Sequence, residues 1–314
     1  MDIWLLLAAF ALDLLVGDPR FMHHPVIYIG TLINWLELLL ASMLDNRKLA
    51  GFLLCGSVVA VTGGLTWLVL LVALRLHPVI HGLISLYLAY TTIALRQLHI
   101  ESREVVHLVE RGQLDAARRS LSLIVGRDTA KLDEEQILQA CIETVSENTS
   151  DGVIAPLFYL FLGGPVLAMI YKAANTLDSM VGYRDDRYRE MGWVSARFDD
   201  LLNLVPARLT GLLMVIASFP LALNPWAALK VMLRDARKTS SPNAGYPEAA
   251  AAGALGIQLG GPARYFGEMV EKPFLGDPDR QINIGRYRAM IRLMYVTAFL
   301  TLGLGVFLSW LFQM

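Results

Sequence analysis

Residues 49–74 contain no charged side chain. Coiled as a helix they cover about 39 Å at 1.5 Å per residue, which is enough to cross the ~30 Å hydrocarbon core of a bilayer with some tilt. Lipid offers the backbone no hydrogen bonds, so a lone spanning segment must satisfy its amides internally as a helix. Val79 to Leu95 repeats the pattern if His77 and His81 sit near an interface, and Leu293 to Met314 supplies a final apolar span. These stretches predict an all-α, polytopic membrane protein.

Composition agrees. Of 314 residues, 55% are hydrophobic and 18% charged, with a mean hydropathy of +0.49. That is too apolar for an ordinary soluble domain and too charged for a bare bundle of spans. The lipid bilayer is therefore an expected partner. A formal net charge of −1 leaves no basic footprint, so nucleic acid is not an expected partner. The two cysteines, Cys55 and Cys141, do not make a disulfide framework.

Met1 to Val16 is apolar but lacks a basic leader, and reads as a retained membrane helix. Gly17-Asp18-Pro19-Arg20 ends it, and His23-His24-Pro25 opens the next. Arg96 to Leu138 is amphipathic, breaks at Gly112 and Gly126, and holds seven Lys/Arg residues. It reads as a helical extramembrane portion on the cytoplasmic side. Asp133 with Gln136 fits a capping box that starts a helix running into the Glu143 region. Three regions follow: membrane helices with the DPR and HHP turns over 1–95, a polar helical segment over 96–151, and a membrane-embedded region over 152–314.

The third region poses a topological problem. Gly152 to Tyr171 is uncharged, and a straight crossing would put the polar residues before it and those after it on opposite sides of the membrane. Gly163-Gly164-Pro165 interrupts the run, since Gly permits unusual backbone angles and Pro cannot continue a helix ladder. Two half-helices near 153–162 and 165–180, forming a re-entrant hairpin, are expected. A second hairpin is expected over Leu209 to Leu229, broken at Pro220 and Asn224-Pro225. Ser240 to Gly245 reads as a turn able to bind phosphate, Glu248 to Gly261 as a closely packed helix, and Asp277-Pro278-Asp279 as a turn.

Around that hairpin lies the chain's densest polar chemistry. Glu143, Glu147 and Asp151 are spaced i, i+4, i+8 and would share a helical face, where like charges repel and a cation would relieve them. Lys172, Asn175 and Ser179 share a second face beside Asp178, and Asp199 and Asn203 form an i, i+4 pair ahead of Arg208. Hard oxygen donors of this kind suit Mg²⁺ held by a few carboxylates and substrate phosphates. Solvated helix ends beside a membrane are the plainer reading of the same spacing.

The runs SENTSDGVIAPLFY (146–159), YKAANTLDSMVGY (171–183), ARFDDLLNLVPARLTG (196–211) and SPNAGYPEAAAAGALGIQLGG (241–261) closely resemble the adenosylcobinamide-phosphate synthase family of cobalamin biosynthesis, CobD or CbiB. DLLVGDPRFMHHPVIYIG (13–30) is similar to that family's opening motif. The resemblance covers most of the chain. It implies a ligase that joins a corrin-ring propionate of adenosylcobyric acid to aminopropanol phosphate, giving adenosylcobinamide phosphate. ATP and Mg²⁺ are the implied cosubstrate and cofactor, and cobalt enters only within the corrinoid substrate. It also implies a multi-pass inner-membrane protein with its site facing the cytoplasm, and other cobalamin-pathway enzymes as partners.

On this reading Glu143, Glu147, Asp151, Asp178 and Asp199 are candidate Mg²⁺ ligands or an amine-orienting base, with Lys172 and Arg208 as phosphate clamps. His24, Arg127, Asn148, Asn175, Ser179, Asn203, Ser241 and Asn243 are candidate substrate- or phosphate-binding positions. The chain has neither a G-x-x-x-x-G-K-[ST] loop nor a G-x-G-x-x-G fingerprint, so any nucleotide pocket is unconventional. An AmpE-like membrane regulator and a corrinoid transporter remain open as alternatives; a transporter should carry charges well inside several spans.

Overall fold

The computed structural model describes residues 2–19, 23–182, 187–265 and 267–311. Arg20 of the DPR turn and Tyr183, the last residue of the YKAANTLDSMVGY run, lie outside the described residues. In chain order the helices are α1 (Ile3–Val16), α2 (Pro25–Met43), α3 (Arg47–Leu76), α4 (Pro78–Tyr90), α5 (Leu95–Glu110), α6 (Leu114–Leu121) and α7 (Glu134–Thr149). A π-helical turn, Ser150–Ile154, follows. Then come α8 (Ala155–Val181), α9 (Trp193–Leu202), α10 (Leu204–Ser218), α11 (Pro225–Asp235), α12 (Gly245–Leu255) and α13 (Ile284–Leu311). The protein is thus an all-α, multi-pass membrane protein: five helical stretches among the described residues are long and apolar enough to cross a bilayer, six if Trp193–Leu202 and Leu204–Ser218 count as one broken span.

Helix starts are written locally. His24, His77 and Asn224 each accept a backbone N–H at an N-cap with Pro at the first helical position, where its missing N–H costs nothing. Asp133 and Gln136 form the reciprocal capping box. α1 forms as an apolar helix, but its 14 residues rise only about 21 Å, too short to cross a bilayer alone. The helix from Pro78 also stops sooner than expected, at Tyr90, before resuming as α5.

The chain divides into two compact units. The first comprises 1–94, 155–203 and 305–314. Its core joins Ile29 and Ile33 of α2, Leu54 and Val58 of α3, and Met169, Ala173 and Leu177 of α8. Gly63 lets α3 approach α8, because a Cβ there would sit 2.8 Å from the Ile170 side chain. Outward, Leu38, Phe52, Leu65 and Leu83 are exposed, an apolar surface suited to lipid.

Inside α8 the helix breaks where the glycines are, with Gly163 at φ −151° and Gly164 at φ 63°, ψ −156°. Tyr159 and Tyr171 stack across the break, with ring centroids 5.1 Å apart. In an unbroken helix those positions lie about 18 Å apart along the axis. The two halves therefore fold back on each other, as the sequence led us to expect.

The second unit comprises 95–154 and 204–304. α10, α11 and α12 pack closely through small residues: a Cβ on Gly253 would lie 2.8 Å from the Ala228 Cα, and one on Gly211 2.7 Å from the Met232 sulfur. Asn224 caps α11 after a turn at residues 219–224, so the second helical hairpin forms, its first arm beginning at Leu204. α12 ends at Leu255 with Gly256 left-handed, earlier than the expected Gly261. The following residues make two short antiparallel ribbons that the hydropathy pattern did not show. β1 (Leu259–Gly260) pairs with β4 (Phe274–Leu275), and β2 (Ala263–Tyr265) with β3 (Glu268–Val270). Asp235, buried at the end of α11, binds Arg234, Lys238 and the Gly276 N–H, tying α11 to the end of β4.

Candidate functional site

Polar side chains gather in each unit. In the second, α7 carries Glu143 into a closed network: its Oε1 accepts from Gln139 Nε2 (2.8 Å) and the Gly260 N–H (2.7 Å), and its Oε2 pairs with the Arg127 guanidinium. Burial pulls Arg127 toward neutrality, but Glu143 outweighs it and holds the guanidinium's pKa above its usual value. With both oxygens engaged, Glu143 acts as a positioning group rather than an open metal ligand.

Glu147, one turn along, joins Glu248 of α12 and Lys272, all within electrostatic reach of Glu143 and Arg127. Neither Glu147 nor Glu248 accepts a side-chain hydrogen bond from any described residue, and both keep partial access. Burial first, then the negative charges of Glu147 and Glu143, push the Glu248 carboxyl well above the usual range. Lys272 is held above its usual value despite burial, chiefly by a hydrogen bond to the Tyr265 hydroxyl. Its ammonium lies 4.7 Å from the Tyr265 ring centre.

A cavity of about 640 Å³ opens beside this network. Arg127, Lys131, Gln136, Gln139, Gly260 and Arg264 lie among its lining residues. The loop and ribbon that form it are stitched by Asp128, whose N–H donates to the Arg264 carbonyl and whose carboxylate accepts from the Gly267 N–H (both 2.8 Å). Arg208 closes another part of the unit. It donates to Asn243 Oδ1 (3.1 Å) and the Leu204 carbonyl (2.7 Å), and lies over the Tyr246 ring at 4.4 Å. Ser241 Oγ accepts from the Asn243 and Ala244 N–H groups, so it folds its own turn. Asn148 donates back to Thr144.

Asp151 follows the α-helical part of this segment. The α-helical register ends at Thr149, and Asp151 sits in the π turn that follows, with i→i+5 bonding.

In the first unit Asp199 is the hub. Its oxygens accept from Asn203 Nδ2 (3.0 Å) and Asn175 Nδ2 (3.4 Å), and Asn203 Oδ1 accepts from the buried Tyr171 hydroxyl (3.0 Å). Asp178 lies close enough to act on Asp199 electrostatically. Ser179 bonds back to the Asn175 carbonyl. Near α2, His24 Nδ1 caps the helix while Nε2 lies 3.7 Å from Asp18; Lys172 acts on both. Burial dominates there, raising the Asp18 carboxyl and lowering His24.

Thus Arg127, Glu143 and Glu147 come together, as do Arg208 with Asn243, and Asn175, Asp199 and Asn203. Glu248, Lys272 and Gln139 were missed; Glu248 stood inside a quoted motif, SPNAGYPEAAAAG, and was the readable signal. Among the described residues no three His, Cys, Asp or Glu side chains converge as a metal-ligand set. The five candidate carboxylates therefore do not build one protein-only metal site.

The family model described as CobD/Cbib protein matches residues 6–294. The chain belongs to the CobD/CbiB family of cobalamin biosynthesis proteins. It is 52% identical to the cobalamin biosynthesis protein CobD of Geobacter metallireducens over 289 residues, 92% of this chain and 91% of that one. With the CobD of Pelobacter propionicus it shares 50% over 305 residues (97% and 94%), and with the CbiB of Salmonella typhi 47% over 304 residues (96% and 95%). No solved structure matches the chain.

Proposed function

We propose that this family member is an acid–amine ligase that condenses a corrin propionate of adenosylcobyric acid with aminopropanol phosphate, using ATP and Mg²⁺ at the cytoplasmic face of the inner membrane. The observation that carries the reading is the Glu147–Glu248 pair beside Lys272 and Arg127: two carboxylates without hydrogen bonds from described residues, set among cations. Two carboxylate oxygens with substrate phosphates are a donor set that fits Mg²⁺. When bound, Mg-ATP supplies the phosphoryl group that makes the propionate a competent acyl donor.

The protein's own residues would then position and move charge. Lys272 and Arg127 stabilise negative phosphoryl oxygens in a site where such fixed charges act strongly. The 640 Å³ cavity, flanked by Arg127, Lys131 and Arg264, is sized for a nucleotide. Glu147 is placed to take a proton from the attacking ammonium, so that a neutral amine meets the activated carbonyl. Glu143 holds Arg127 in place.

The test is product formation by purified protein in nanodiscs, supplied with adenosylcobyric acid and aminopropanol phosphate, with and without ATP and Mg²⁺. The proposal expects adenosylcobinamide phosphate only when all are present, and none from E147Q. Corrinoid binding without product under every condition would refute it and favour a regulator or transporter.

A further inference from the structure

α5 and α13, both in the second unit over 95–110 and 284–304, enclose a second cavity of about 480 Å³, away from the carboxylate network. One wall is the α5 stripe His99, Arg103 and His107, spaced i, i+4, i+8; the other is Tyr287, Arg288, Ile291 and Arg292 of α13. The helices run antiparallel here. His99 Nδ1 meets the Tyr295 hydroxyl (3.0 Å), Ser102 the Tyr287 hydroxyl (2.9 Å), and Arg288 the Glu110 carboxylate (2.6 Å).

Charge in this cavity is unbalanced. Glu110 is its one carboxylate, and it is already held by Arg288, with His107 3.7 Å away. Among the described residues Arg103 and Arg292 form neither an ion pair nor a hydrogen bond from their guanidinium groups. The cavity thus carries two guanidiniums with no counter-ion, beside an apolar floor of Val106 and Ile291.

Its level in the membrane narrows the ligand. From Leu293 to Leu311, α13 has no charged residue, a length of about 28 Å that matches the hydrocarbon core. Arg292 and Arg288 precede that stretch, which places them at the depth of lipid headgroups. Basic pockets between spanning helices at that depth select anionic headgroups.

We propose that the α5–α13 cavity is a binding site for an anionic phospholipid, with Arg103 and Arg292 on the phosphate and the apolar floor against the acyl-chain side. The site is independent of the ligase reading, because none of its residues belongs to the carboxylate network.

The experiment reconstitutes the full chain in nanodiscs of phosphatidylcholine containing a minority of phosphatidylglycerol, extracts it into mild detergent, and measures retained lipid by native mass spectrometry. The wild type should retain phosphatidylglycerol selectively. R103Q/R292Q should bind it about 30-fold more weakly, the order expected from two basic side chains at an anionic surface. R103K/R292K should retain it, which separates charge from folding. Equal retention by the wild type and R103Q/R292Q, or no preference for phosphatidylglycerol, would overturn the proposal. So would displacement of the lipid by millimolar inorganic phosphate or glycerol 3-phosphate, which would make the ligand a soluble phosphate.

Discussion

Replacing Glu143 by Gln tests the centre of the site in the most direct way. The amide keeps one oxygen for Gln139 and the Gly260 N–H, but turns an NH₂ toward Arg127, leaving the guanidinium without its ion-pair partner. The two side chains are only 14% and 7% exposed, so solvent screening does not rescue the lone charge. Removing one member of such a buried pair costs about 3–5 kcal/mol. R127M strands the carboxylate instead, but two N–H donors still hold it, so about 2–3 kcal/mol is expected. The double variant E143Q/R127M removes both charges and should cost about 2 kcal/mol less than the sum of the singles. Equilibrium unfolding of purified protein in mixed micelles, followed by circular dichroism, measures the cycle. Singles costing under about 1 kcal/mol, or a strictly additive double, would refute the argument that this pair is a buried positioning device.

G164A forces a side chain onto φ 63°, ψ −156°, a region essentially reserved for Gly, and should cost about 1–3 kcal/mol; a melting point equal to wild type would show that the hairpin turn can rearrange. Burial alone would raise the Asp235 carboxyl, but its bonds from Arg234, Lys238 and the Gly276 N–H hold it well below the usual range. Its stabilisation is therefore present above the unfolded value of about 3.9 and lost as pH falls through the folded one. Melts from pH 7 to pH 3 should show D235N less stable at neutrality and less acid-sensitive than wild type, and parallel curves would contradict this. Glu248 has the opposite sign: with its folded carboxyl raised, wild type should lose stability relative to E248Q as pH climbs above about 4.3, while the two converge in acid. E248Q should then melt higher at pH 7–8 yet fail to turn over, a trade of stability for function. Y171F removes the hydroxyl bound to Asn203 Oδ1 and should cost about 1 kcal/mol, read in the same micelle titration.

Some of the site could be read from the chain. Asp199 and Asn203 keep the i, i+4 spacing read from the sequence, and Glu143 and Glu147 stay one turn apart on α7, whereas the bond from Asn175 to Asp199 joins two helices. Glu248 and Lys272 could not be read as partners of Glu147, because their meeting depends on how α12 and the ribbons pack against α7. Spacing likewise presented Glu143 as a spare carboxylate. Only the arrival of Gly260, 117 positions away, shows it fully engaged.

What the amino-acid sequence determined by itself is what a few neighbouring residues can enforce. His-Pro and Asn-Pro pairs start helices, Asp133 and Gln136 box another, uncharged runs become spans, and Gly163-Gly164 breaks α8, because each effect acts within one helical turn. Tertiary structure alone decided the rest. It turned 150–154 into a π helix that ends the α-helical register before Asp151. It also brought Glu248 and Lys272 to Glu147, and left Arg103 and Arg292 facing a cavity whose one carboxylate, Glu110, is held by Arg288. Those outcomes depend on which distant surfaces bury against each other, and a charge has no fixed role until its surroundings decide what it must pair with.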